Sequence, residues 1–164
     1  MARREQGSAG TPATVALLRS GIPFTPHVYT HEASLTSFGL EAAEKLTVAA
    51  ARVFKTLLAD ADGRLVVGVV PVTGQLDLKA LAAAVGTKKA VMADPSLAER
   101  KTGYVVGGIS PIGQKSSLPT VVDESALEFD TVFVSGGRRG FDIELTPTDL
   151  ARAASAVFAP IARP

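Results

Sequence analysis

The chain has 164 residues, of which 46% are hydrophobic and 20% charged, with a net charge of +1 and no cysteine. That length and apolar content suit one domain with a true core rather than a disordered segment. The missing cysteine excludes disulfides, thiolate metal sites and a thiol nucleophile, and the near-neutral charge argues against a general, sequence-independent nucleic-acid binder, with no DNA partner expected.

Met1 to Gly10 is polar and is expected to be a flexible N-terminal tail, leaving residues 11–164 as a single domain. No apolar h-region follows Met1-Ala2-Arg3-Arg4, and no apolar run approaches the roughly 18 residues of a membrane span, so a cytoplasmic protein is expected. Thr11 is a candidate N-cap with Pro12 at the first helical position and Gly21 as the stop; Val15 and Leu18 would form its apolar stripe. Phe24 to Thr30 reads as a strand and Phe38 to Leu46 as a helix. Val53–Leu58 and Leu65–Val70 flank Asp60-Ala61-Asp62-Gly63, a hairpin signal. Asp77 and Asp94-Pro95 each open a helix. Tyr104–Val106, Thr120–Asp123, Thr131–Ser135 and Phe141–Leu145 read as strands, and Thr146-Pro147 opens a last helix through about Val157. Hairpins mixed with helical connections imply an α/β chain of the α+β type, with a mixed, curved, barrel-like sheet surrounded by helices.

Chemical candidates are few. Gly108-Ile109-Ser110-Pro111-Ile112-Gly113 has the glycine spacing of a phosphate loop, but Lys115 falls one place late for the β- and γ-phosphates. His27 and His31 lie on a strand-like run, where about 13 Å would separate them, so a shared metal is not expected. Ser110 and Ser135 sit in glycine-rich loops without a nucleophile elbow. Asp142 and Glu144 alternate with apolar residues and so share one strand face, either a solvated outer face or one that brings Asp142 beside Ser135-Gly136-Gly137 to hold a polar ligand group. Lys55 stands alone in the apolar run Val53 to Leu58; a lone strand lysine ordinarily faces solvent.

The blocks Phe54-Lys55-Thr56-Leu57-Leu58, Gly74 to Lys79, Ala93-Asp94-Pro95, Thr102 to Lys115 and Val134 to Leu145 together resemble the bacterial YbaK proteins. These are free-standing Cys-tRNA(Pro) deacylases, relatives of the editing domain of prolyl-tRNA synthetase. The resemblance runs from about Thr11 to Arg163, with a tighter hairpin after Lys55 than close members are expected to have. It implies trans-editing hydrolysis of the ester on the 3′ end of mischarged tRNA(Pro), with the cysteine thiol attacking its own carbonyl, in transient complex with prolyl-tRNA synthetase. It implies catalytic roles for Lys55, Gly107 and Gly108. Substrate-binding roles fall on Tyr29, Phe38, Thr56, Ile109, Ser110, Ser135, Gly136, Gly137 and Asp142. No cofactor and no metal are expected. An alanine-directed deacylase using water, and a non-catalytic module binding tRNA or a synthetase, remain the alternatives.

Overall fold

The structure, a computed structural model, describes residues 10–32 and 37–164. The expected N-terminal tail therefore lies outside the described residues, apart from the exposed Gly10.

Helix α1 (Pro12–Ser20) begins and ends as its sequence dictates. The Thr11 hydroxyl accepts from the Thr14 N–H, the Thr14 hydroxyl accepts from the Thr11 N–H, and Gly21 closes the helix in the left-handed region. Its buried side is Ala13, Thr14 and Leu17, whereas Val15 and Leu18 are about half exposed. The expected apolar stripe is thus corrected: Leu17, one place before Leu18, enters the core.

Strand β1 (Thr25–Val28) leads to α2 (Phe38–Leu46). Strands β2 (Phe54–Ala61) and β3 (Arg64–Pro71) form a hairpin longer than the apolar runs suggest, with Asp62 and Gly63 alone at the turn. Both turn residues have positive φ, 54° and 92°, which a two-residue hairpin of matching twist requires. Next come β4 (Gln75–Leu76), α3 (Leu78–Ala84), β5 (Ala90–Met92), α4 (Pro95–Thr102) and β6 (Thr120–Asp123). The chain closes with β7 (Val132–Arg138), β8 (Phe141–Leu145), α5 (Pro147–Ala154), β9 (Ala156–Ala159) and β10 (Ala162–Arg163).

Two expectations fail locally. Tyr104–Val106 is not a strand but a looped segment, its backbone held by turn and side-chain bonds. The last helix stops at Ala154, because Ser155 turns left-handed with φ 51°, and Ala156–Ala159 then pairs in parallel with β6.

The principal sheet is mixed, in the order β5-β2-β3-β6-β9, and a second sheet has the order β1-β8-β7. A parallel bridge between Val53 and Phe133 joins the two without closing a barrel among the described residues. Leu58, Val67 and Val69 on one face of the principal sheet pack with Phe141, Ile143 and Leu145 of β8 and with Leu17 and Leu150. Val66, Val70 and Ala59 on the other face pack with Leu81 and Ile161. Among the described residues, no helix is long and apolar enough to cross a membrane.

Candidate active site

Lys55 and Thr56 line one cleft of about 410 Å³ with Tyr29, Phe38, Gly107, Ile109, Ser135 and Asp142. Its walls come mainly from β2, the start of α2, the loop after α4 and the β7–β8 pair, joined by Tyr29 after β1, Val72 after β3 and the segment from Met92 to Pro95.

The floor follows from the hydrogen-bond alternation of β2. The Val72 N–H donates to the Val53 carbonyl at 2.8 Å. In an antiparallel ladder every second residue bonds the same neighbour, so Lys55 and Leu57 bond β3, opposite Val70 and Gly68. Thr56 therefore turns its N–H and C=O to the other edge. Strand β5 reaches that edge only further on: Ala93 bonds the Leu58 carbonyl and pairing continues from Ala59. Thr56 Oγ1 is also buried without a hydrogen-bond partner. A buried polar group of this kind ordinarily finds a partner, so Thr56 brings a hydroxyl with unused hydrogen-bonding capacity to the cleft. Lys55 is half-buried and lines the same cleft, without an ion pair among the described residues.

The far wall is the face of β8 that carries both acids. Asp142 lies opposite Ser135 on one side and opposite His27 on the other. That face is not a solvated outer surface, since Asp142 is only 5% exposed. Burial pushes its carboxyl up to about 7. Burial, the Asp142 charge and the Glu41 charge all raise the Tyr29 hydroxyl well above its ordinary value. Glu144 is already engaged, with His27 at 2.9 Å, Arg52 and Thr131.

The roof is α2. Gly39 lets that helix settle on the end of β3, because a Cβ there would lie 2.1 Å from Val72 Cγ1. Glu41, on the same helix, accepts from the Glu32 N–H and bonds His31 Nδ1 at 2.7 Å. The His31 ring in turn packs on Phe38, centroids 5.5 Å apart. Phe38 is thereby held over the cleft.

The glycine loop divides its residues between cleft and core. Gly107 and Ile109 line the cleft. Gly108 packs on the Arg138–Arg139 backbone, and its N–H donates to the Val105 carbonyl at 2.8 Å. Ser110 is fully buried and accepts from the Ile112 N–H. In β7, Gly136 gives its space to the Phe141 ring and Gly137 approaches Thr11 and Tyr104. Of the expected residues, then, Lys55, Gly107, Tyr29, Phe38, Thr56, Ile109, Ser135 and Asp142 come together, while Gly108, Ser110, Gly136 and Gly137 pack behind them. Sequence reasoning missed Gly39, Val72, Met92 and Pro95, which also line the cleft or seat its roof. No chemical signature marks them, because their contribution is shape.

Residues 31–153 match the family model described as the aminoacyl-tRNA editing domain. A protein of Enterococcus faecalis, provisionally named Cys-tRNA(Pro)/Cys-tRNA(Cys) deacylase EbsC, is 42% identical over 120 residues, 73% of each chain. A crystal structure described provisionally as a trans-editing enzyme for prolyl-tRNA synthetase is 26% identical, with a TM-score of 0.81 over 99% of this chain and 97% of that one. A second crystal structure, of a hypothetical protein, is 25% identical, with a TM-score of 0.83 over 93% of this chain and 99% of that one.

Proposed function

The chain belongs to the aminoacyl-tRNA editing domain family, and from that premise we propose that it is a trans-acting deacylase of Cys-tRNA(Pro). The observation that carries this reading is a cleft lined by Lys55, by Thr56 with its buried, unpartnered Oγ1, and by the buried Asp142 carboxyl, with no serine or cysteine poised as nucleophile among the described residues.

An aminoacyl ester offers complementary groups. Its α-ammonium suits Asp142, which has no ion pair among the described residues. Its carbonyl suits the Gly107 N–H, since donors aimed at a developing oxyanion are a large catalytic term. Lys55, a compact point charge, suits the ester or a phosphate of the terminal nucleotides. Thr56 offers a hydroxyl and a free strand edge beside them.

The nucleophile is then the cysteine of the substrate. Its sulfur bonds the carbonyl carbon, the bond to the ribose oxygen breaks, and the thiol proton passes to that leaving hydroxyl. Free tRNA and a cyclic thioester result, and water opens the thioester to cysteine. Well-oriented intramolecular attacks reach effective molarities of about 10⁵–10⁸ M, so the protein need only fold the substrate and stabilise charge. Alanine, without the thiol, would bind and react poorly. Selection of tRNA(Pro) is assigned to prolyl-tRNA synthetase, for which one structural neighbour is described as a trans-editing enzyme.

One observation favours a second reading. A carboxyl near 7 is matched to general-base work, so Asp142 would suit activation of water in an alanine-directed deacylase. Single-turnover deacylation of Cys-tRNA(Pro) and Ala-tRNA(Pro) separates the two. Fast loss of cysteine, a trappable cyclic thioester and slow loss of alanine support thiol attack. Alanine released as fast as cysteine overturns it in favour of water, and no release of either leaves a binding module.

A further inference from the structure

Residues 105–108 form a turn closed by the Gly108 N–H on the Val105 carbonyl. Its third residue, Gly107, has φ 90°, as a type II turn requires. Types I and II differ by a flip of the central peptide, here the unit made of the Val106 carbonyl and the Gly107 N–H. The closing bond is common to both forms and does not choose between them.

Side chains from two other elements hold the turn, and the one that bonds the central peptide makes that choice. Arg139, in the turn after β7, donates Nε and Nη2 to the Val106 carbonyl at 2.9 and 2.6 Å. Glu99, on α4, accepts from the Val106 N–H at 2.8 Å. The guanidinium also stacks on Phe38, 4.9 Å from the ring centroid. A Cβ on Gly107 would lie 2.8 Å from both Arg139 Nε and the Phe38 ring.

We propose that Arg139 is a positioning residue which locks this turn in its type II form and so aims the Gly107 N–H at the cleft. The carbonyl and N–H of a trans peptide point in opposite directions, so a fork on one fixes the other. The flipped peptide would present a carbonyl oxygen where a donor should stand and repel a developing oxyanion. The catalytic part of the inference rests on the deacylase reading above; the conformational part does not.

Two measurements test it on the full chain. In Arg139→Ala, the Gly107 amide resonance should shift and exchange faster with solvent, with an unchanged melting temperature. In single turnover, the rate at saturating protein should fall on the order of ten- to hundred-fold, as misplaced catalytic groups do, while half-saturation stays put. Arg139→Lys keeps the charge but not the fork, so it should remain near the alanine variant; added guanidinium should restore part of the rate to Arg139→Ala. An unmoved Gly107 amide overturns the lock whether or not the protein deacylates anything. Inactive wild-type protein with a moved amide removes only the deacylase reading and keeps the lock. A normal saturating rate, or a raised half-saturation that lysine repairs with a flatter salt dependence, overturns the proposal in favour of a phosphate contact.

Discussion

Asp142 stands directly opposite Ser135 across the antiparallel β7–β8 ladder, one pair before the bulge that interrupts it. The ladder thereby delivers a buried carboxyl to the cleft wall while its alternate residues, Phe141 and Ile143, fill the core behind. Among the described residues no ion pair balances that carboxyl, and burial holds it at about 7. The site therefore carries a stability cost that a bound ammonium would relieve.

The cost should be measurable. A carboxyl raised from its ordinary 3.8 to about 7 makes the folded protein hold more protons than the unfolded chain between those values. Stability contributed by this group is thus highest at low pH and falls as pH rises through 4 to 7. Asp142→Asn removes the titration. It should be more stable than wild type by roughly 2–4 kcal/mol at pH 8, and nearly equal to it at pH 4. Denaturant melts at the two pH values check this; a difference independent of pH would show that the charge is already compensated.

The same group sets a pH dependence of turnover. Under the proposed role, the second-order rate constant should fall as pH drops below about 7, when protonation removes the acceptor for the α-ammonium. Asp142→Asn should be slow and should lose this inflection. Retention of the inflection in the variant would assign it to the substrate.

Lys55→Ala should lower single-turnover deacylation by at least about ten-fold, the scale of losing one preorganised electrostatic contact. The side chain makes no ion pair among the described residues, so stability should change by only about 0.5 kcal/mol. Paired rate and melting measurements separate this from a structural role, in which both would fall together.

The legible parts of the fold were the locally determined ones. Thr11-Pro12 with Gly21, Asp62-Gly63, Asp77 and Asp94-Pro95 place caps and turns by short-range chemistry, and the structure uses each of them. Illegible features depend on distant partners. The alanine-rich run after Ser155 continues a helical pattern, yet it becomes a strand because β6 offers an unpaired edge. Tyr104-Val105-Val106 has β-favouring residues, but Glu99 and Arg139 capture its backbone instead. Lys55 could not be oriented from sequence, because β5 covers only the far half of the β2 edge. The family resemblance located the glycine segments but not which glycines face the cleft. That division is set by packing against Phe141, Thr11 and Arg138.

Glu41 gives a second pH dependence, of opposite sign. Burial alone would raise its carboxyl, but the Glu32 N–H and His31 outweigh burial and hold it below the ordinary value. Its stabilisation is therefore full above about 4.5 and is lost as pH falls through the lowered value. Glu41→Ala should cost roughly 2–4 kcal/mol at pH 7 by breaking two charge-assisted bonds in a buried setting, and the cost should shrink in acid. Because these bonds hold the segment beside Phe38, turnover should fall as well. Melting of wild type and variant from pH 7 to pH 3 checks the sign.

Two glycine replacements distinguish cleft from core. A Cβ at Gly136 would lie 2.2 Å from the Phe141 ring, and that ring is wholly buried among close-packed neighbours. Gly136→Ala should therefore destabilise the protein by roughly 1–3 kcal/mol, the usual cost of overpacking a core, while protein that remains folded keeps a near-normal rate. Gly107→Ala meets a different obstacle: φ 90° is strained for any side chain, and the added methyl would press on Phe38 and Arg139 at the cleft. Its neighbours are a half-exposed ring and the end of a flexible side chain, so they can give way, and the loss of stability should be about 1 kcal/mol. The rate should nevertheless fall sharply, because relief of the strain turns the Gly107 N–H away from the cleft. Equal effects of the two variants on rate would refute the division of the glycines between cleft and core.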